Sequence, residues 1–175
     1  RALLALDVGD LDGAERDFAA RIELYEAIGS PVFAETTRAY TGILARMRGE
    51  LATAEALLRK GLDQSRSLQN RRDEAFFLGE LALVAAHQGD LRRAMRLQED
   101  ALAIWRAIGN EPGIAAASCQ LAATQLALGT EGIVVNGLVQ TALELALRHR
   151  LAPVALAACL SLAPLLADRG ELEAA

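Results

Sequence analysis

Apolar side chains recur three and four positions apart along almost the whole chain, broken at regular intervals by short polar or glycine-bearing stretches. From Leu11 to Ile28 the apolar positions are Leu11, Ala14, Phe18, Ile22, Tyr25 and Ile28, a spacing that lays one stripe along one side of an α-helix. Gly29-Ser30-Pro31 then ends that helix. Glycine takes the left-handed cap conformation freely, and proline suits the first turn of the following helix. The punctuation returns as Gly109-Asn110-Glu111-Pro112 and, more loosely, as Arg150-Leu151-Ala152-Pro153. Further helices are expected over about residues 32–48, 51–68, 73–88, 91–108, 113–128, 133–148 and 153–168, after a first one that ends near Val8 and is closed by Gly9. Pro164 removes a backbone donor inside the last of these and predicts a kink. Helices of roughly 17 residues are about 25 Å long at 1.5 Å per residue. Connections of two to five residues make consecutive helices antiparallel neighbours.

The stretch Asp73–Asn110 is the pattern from which the rest is copied. Gly9, Gly49, Gly89, Gly129 and Gly170 are separated by 40, 40, 40 and 41 residues, and each is followed by Asp, Glu or Thr. A fixed period of this size marks a solenoid array, in which a hairpin of two helices buries its second face only by stacking on the next. The units fall at about residues 1–30, 31–70, 71–110 and 111–150, with a partial unit at 151–175. Small residues recur where helices must cross: Gly42, Ala82, Ala122 and Ala163 on the first helix of each pair, and Ala14, Ala54, Ala94 and then Val134 on the second. A hydrogen or methyl group there lets helix axes approach to about 8–10 Å. Glu131-Gly132-Ile133-Val134-Val135-Asn136-Gly137, with two glycines and β-branched residues, weakens the last second helix.

The glycine-acidic turn, the small crossing residues and the late pairs Gly61-Leu62 and Ala101-Leu102 resemble a tetratricopeptide repeat over essentially the whole chain. That resemblance implies an all-α fold, a right-handed α-α superhelix of about four helical hairpins, in which the first helix of each pair lines a concave peptide-binding surface. By position it puts Thr36, Ala39, Tyr40, Ile43, Arg46 and Met47 in the groove, then Phe76, Gly79, Glu80, Leu83 and His87, then Ala116, Cys119, Gln120, Ala123 and Leu126. Family members that clamp a terminal carboxylate carry Lys, Arg and Asn at positions occupied here by Ala39 and Ile43, Gly79 and Leu83, and Cys119 and Ala123, which disfavours chaperone-tail binding. The period of 40 exceeds the family's usual length of about 34. Long repeats with a phrase like Ala107-Ile108-Gly109-Asn110 are similar to those of bacterial signal-transduction ATPases and transcriptional activators, and of the Leu-Gly-Asn-type scaffolds of animal cells. The Ala, Leu and Arg bias favours the bacterial group. A HEAT-type array shares the period but does not require a glycine-acidic turn followed by alanine.

Composition narrows the classes of function. Hydrophobic residues make up 53% of the 175-residue chain and aromatics only 4%, so the apolar content is mostly Ala and Leu. Eighteen basic residues face 23 acidic ones without a strongly basic segment, against direct nucleic-acid binding, which needs clustered Lys and Arg. Arg71, Arg72, Arg92, Arg93 and Arg96 are the one concentration of charge and read as solvated surface, with docking of an acidic segment as the alternative. Cys119 and Cys159 read as small core residues in a reducing cytoplasm. No signal peptide or membrane span is visible. His87 and His149 lie in different units, no Cys/His pair has metal-ligand spacing, and Gly129-Thr130-Glu131-Gly132 lacks the Lys-Ser/Thr of a phosphate loop. No catalytic, cofactor or metal site is expected. The chain opens without Met and stops where a helix should begin, so it reads as a piece of a longer protein. Self-association through uncovered terminal repeats is a further expectation. The expected function is a protein-interaction or scaffold module binding a peptide or a neighbouring domain within a larger bacterial regulatory protein. The alternative is a small-effector-sensing module of a signal-transduction ATPase or transcriptional activator.

Overall fold

The computed structural model describes residues 10–130 and 133–158 of the chain. The helix end near Val8, the turns at Gly9 and Gly170, the pair Glu131-Gly132, Cys159, the crossing residue Ala163 and the kink at Pro164 lie outside the described residues. The chain divides into two compact units, Arg1–Gln88 and Gly89–Ala175. The first contains α1 (Leu11–Ala27), α2 (Pro31–Met47), α3 (Leu51–Ser67) and α4 (Arg71–His87). The second contains α5 (Leu91–Ala107), α6 (Glu111–Ala127) and α7 (Ile133–Arg148), and residues 152–158 are helical as well. The fold is all-α, and no strand occurs among the described residues. Within the first unit α2 packs on α1 and α3, and α3 on α4; within the second α6 packs on α5 and α7. Within each unit the helices lean on their neighbours in sequence, the arrangement of a helical-hairpin repeat.

Local chemistry sets the helix ends. In the turn after α1, Gly29 (φ 70°) donates to the Glu26 carbonyl at 3.0 Å and Ser30 donates to that of Tyr25 at 2.8 Å. These paired bonds satisfy carbonyls that a helix end would otherwise leave orphaned. The same pair forms at Gly49-Glu50, Gly109-Asn110 and Gly129-Thr130. It also forms at Gln69-Asn70 and Arg150-Leu151, where Gln69 (φ 53°) and Arg150 (φ 56°) occupy the left-handed conformation without being glycine. At Asn70 and Asn110 the residue that closes one helix also opens the next. Asn70 Oδ1 accepts from the Asp73 N–H at 3.1 Å, Asp90 Oδ1 from Arg93 at 3.0 Å and Asn110 Oδ1 from Gly113 at 2.8 Å.

The crossing residues are buried as their size requires. Ala14, Ala54, Ala82, Ala94 and Ala122 are all fully enclosed. A Cβ on Gly42 would stand 2.8 Å from Leu58 Cγ, and one on Gly61 only 2.6 Å from Ala39 Cβ and 2.7 Å from the Phe77 ring. Larger residues at either position would push helices apart. Val134 departs from expectation: it is 66% exposed, and Val135, fully buried, takes the crossing position in α7. The inward face of α7 accordingly falls one residue later than counted, at Val135, Val139, Ala142 and Ala146. Gly137 sits within α7 without interrupting it.

Candidate functional site

The residues expected to form a groove fall in both units, and each group is described by itself. In the first unit, α2 and α4 bring side chains together across 33 and 34 residues of sequence. The Tyr40 ring centroid lies 5.0 Å from that of Phe76 and 5.2 Å from that of Phe77, with Phe76 and Phe77 themselves 5.7 Å apart in an edge-on arrangement. Phe77 is wholly buried and Phe76 only partly, so the adjacent pair divides into one core residue and one that reaches the surface. Tyr40 Oη donates to Asp73 Oδ1 at 3.2 Å. Burial holds the Tyr40 phenol well above its ordinary pKa, and the Asp73 carboxylate adds to the shift. It is a hydrogen-bond donor across the whole physiological range.

One turn and a half further along α2, Arg46 Nε and Nη2 both lie 3.1 Å from Glu80 Oε2, with each side chain 15% exposed. Burial raises the Glu80 pKa, and the Arg46 guanidinium only partly offsets it. Desolvation of the carboxylate is the larger of the two influences on that shift. Met47 is exposed and Leu83 half-buried on the same two helices, and His87 is exposed at the end of α4.

Four expected groove residues are placed otherwise. Thr36 Oγ1 donates to the Val32 carbonyl at 2.9 Å and to Gln64 Oε1 at 3.3 Å, which turns it toward α3 rather than α4. Ile43 (5% exposed) and Cys119 (7%) belong to the core, as does Ala39. Apolar residues on a first helix serve the contact with their own hairpin partner before they serve any surface. In the second unit Gln120 and Ala116 are half-buried on α6, and Ala123 is exposed. Burial pushes the Cys119 thiol pKa up, which makes it an unreactive packing group.

Several functional-looking contacts had no signature in the sequence. Glu74, buried, receives both Arg66 at 3.1 Å and Arg71, so Arg71 is tied down within its own unit. In the second unit Glu111 accepts from Arg148 at 3.0 Å and lies 2.7 Å from His149 Nε2, joining the start of α6 to the end of α7. These two partners hold the Glu111 carboxyl below its usual pKa. Among the described residues no group of three His, Cys, Asp or Glu side chains could hold a metal ion, and no helix is long and apolar enough to cross a membrane. What the α2/α4 face presents is shape: two aromatics in tilted contact, a fixed ion pair and flanking apolar groups.

The fold thus belongs to the class of helical-hairpin repeats. No protein-family model matches the chain, and no curated protein is similar to it at a significant level.

Proposed function

We propose that the chain is a protein-interaction module of the tetratricopeptide-repeat kind, binding a peptide segment on the face of α2 and α4, as part of a larger bacterial cytoplasmic regulatory protein. The observation that carries this reading is the partly exposed, tilted Tyr40–Phe76 ring contact on the same two helices as the Arg46–Glu80 pair. Rigid aromatic anchors flanked by a fixed polar pair suit an amphipathic segment laid into a groove. Arg46 supplies donors and Glu80 an acceptor for the polar side of such a segment, while Phe76, Leu83 and Met47 meet its apolar side. The 40-residue period and the glycine-acidic turns support the family assignment.

The test is to select binding peptides from a displayed library on the native chain and to measure their affinity by calorimetry. Phe76→Ala and Tyr40→Ala should each weaken binding by at least about tenfold, the scale of a single anchor residue, with helicity by circular dichroism retained. Unchanged affinity in both variants rejects the face.

A further inference from the structure

The turn between α3 and α4 carries side chains that the equivalent turns one repeat before and one repeat after do without. Arg66, Gln69, Arg71 and Glu74 line a pocket of about 510 Å³ there, within the first unit. At the matching positions of those two repeats, Gln69 is replaced by Gly29 and Gly109, and Glu74 by Ala34 and Ile114. Both differences work against folding. Gln69 holds the left-handed conformation (φ 53°), which a residue with a Cβ adopts under strain and which Gly29 and Gly109 adopt freely. Glu74 brings a carboxylate into a buried position, its side chain only 10% exposed, where Ala34 is fully enclosed at no such cost. Repeats that close with glycine and pack with an apolar residue show that neither side chain is needed to make the turn.

What the exchange achieves is an arrangement of guanidinium groups. Glu74 Oε1 accepts from Arg66 Nε at 3.1 Å and Glu74 Oε2 accepts from Arg71 Nη1, so one carboxylate holds an arginine from each side of the turn. A guanidinium carries several N–H donors in a planar fork, and these contacts take one from each. Both arginine side chains remain 52% exposed, which leaves their other donors open to the pocket. Two arginines against one carboxylate leave one positive charge in the cluster. The Gln69 side chain lines the same pocket and adds an amide donor.

We propose that this pocket binds a single oxyanion, the carboxylate or phosphate group of a ligand, through the remaining donors of Arg66 and Arg71 with the Gln69 amide beside them. Glu74 is a positioning residue: it holds both forks in place before the anion arrives, so that less side-chain freedom is lost on binding. The anion balances the charge that Glu74 leaves over, and its bonds to the guanidinium groups are of the strong, charge-assisted kind. None of the four residues is among those of the peptide-binding face, so the site stands whether or not that face binds peptide.

The probes are acetate and methyl phosphate, titrated into the full chain at constant ionic strength with chloride as the reference anion. Binding is followed by ¹H–¹⁵N spectra of the arginine side chains. At least one of the two probes should shift the Arg66 and Arg71 Nε–H signals along a saturating curve, and the tighter one tells whether the group is a carboxylate or a phosphate. Arg66→Lys and Arg71→Lys, which keep a positive charge beside Glu74 but lose the planar fork, should each weaken binding by at least about tenfold. Arg59→Lys, in the exposed pair with Glu55 on α3, should leave it unchanged. Gln69→Gly, the residue of the neighbouring repeats, should raise the melting temperature and weaken binding. Shifts that grow without saturation, affinity undiminished in Arg66→Lys or Arg71→Lys, equal loss in Arg59→Lys, or a Gln69→Gly chain that binds as tightly as the native one would each overturn the proposal.

Discussion

The contact between α2 and α4 and the contact among α5, α6 and α7 are built on the same period but with opposite side-chain chemistry. The first is made by long side chains that find named partners: Tyr40 with Asp73 and Arg46 with Glu80. The second has a core of small and aliphatic residues, Ala117, Leu121, Ala122, Val135, Val139 and Ala142, in which Ser118 and Gln125 are buried with an oxygen that has no partner in the protein. Small crossing residues are common to both, and they set how closely helices approach. The positions between them are free to vary, and there the two units have taken different directions, one toward paired long side chains and the other toward small and aliphatic ones.

The comparison breaks most severely where the shared framework is attacked. Phe77 is wholly buried against Tyr40 and Phe76, so Phe77→Ala should cost about 3–5 kcal/mol in urea denaturation. Ala94→Arg, at a fully enclosed crossing in α5, should cost more than about 2 kcal/mol, whereas Arg92→Ala on the exposed side should stay within about 0.5 kcal/mol. Equal damage from these two α5 variants would contradict the assignment of the inward face.

A smaller effect distinguishes the α2/α4 pair. Because burial raises the Glu80 pKa above 4.5, the native state holds its proton more tightly than the unfolded chain does. That contribution to stability is present below 4.5 and is lost as pH rises through the folded value. Glu80→Gln should therefore flatten the decline in stability on the alkaline side of 4.5, as followed by thermal melts between pH 4 and 8 in steps of about one unit. A decline that stays as steep in the variant would remove Glu80 as its source. Glu111 predicts the opposite sign. Its pKa is lowered by His149 and Arg148, so its contribution is present above 4.5 and is lost as pH falls through the folded value. Glu111→Gln should make the acid limb shallower by a small amount, since the pair is exposed at the surface. Smallest of all is the labelling of Cys119, which in a Cys159→Ser background should react with a thiol reagent far more slowly than in urea.

Helix existence and length were legible in the chain because glycine, Asn/Asp caps and apolar spacing all agree there. The expected boundaries at 51–68, 91–108 and 133–148 lie within one residue of α3, α5 and α7. The turn at Gln69 was harder to see, since glutamine carries no signal for a left-handed backbone; the bonds from Gln69 and Asn70 to the carbonyls of Arg66 and Ser65 go with it. The exposure of Val134 was hidden by strict counting from the turn glycine, which puts the inward position of α7 one residue too early. In the candidate site, Tyr40, Arg46, Phe76 and Glu80 were picked out by position alone. Their pairing was not legible, because partners 33 or 34 residues apart leave no local trace. Ile43 and Cys119 show the limit of the stripe argument, as an apolar residue on a first helix looks the same in sequence whether it faces a groove or a neighbour.

The double duty of the turn residues limits how such a chain can lengthen. Asn70 and Asn110 each finish one helix through the backbone and start another through the side chain, so α3 to α6 follow one another at 20-residue steps with no slack between them. A duplication that copies 40 residues preserves every closure and every opening, while the insertion of one residue inside a helix would rotate everything downstream by about 100°. Growth by whole hairpins is thus the change this chain can absorb most readily, and the segment from Leu51 to Asp90 is the natural piece to copy.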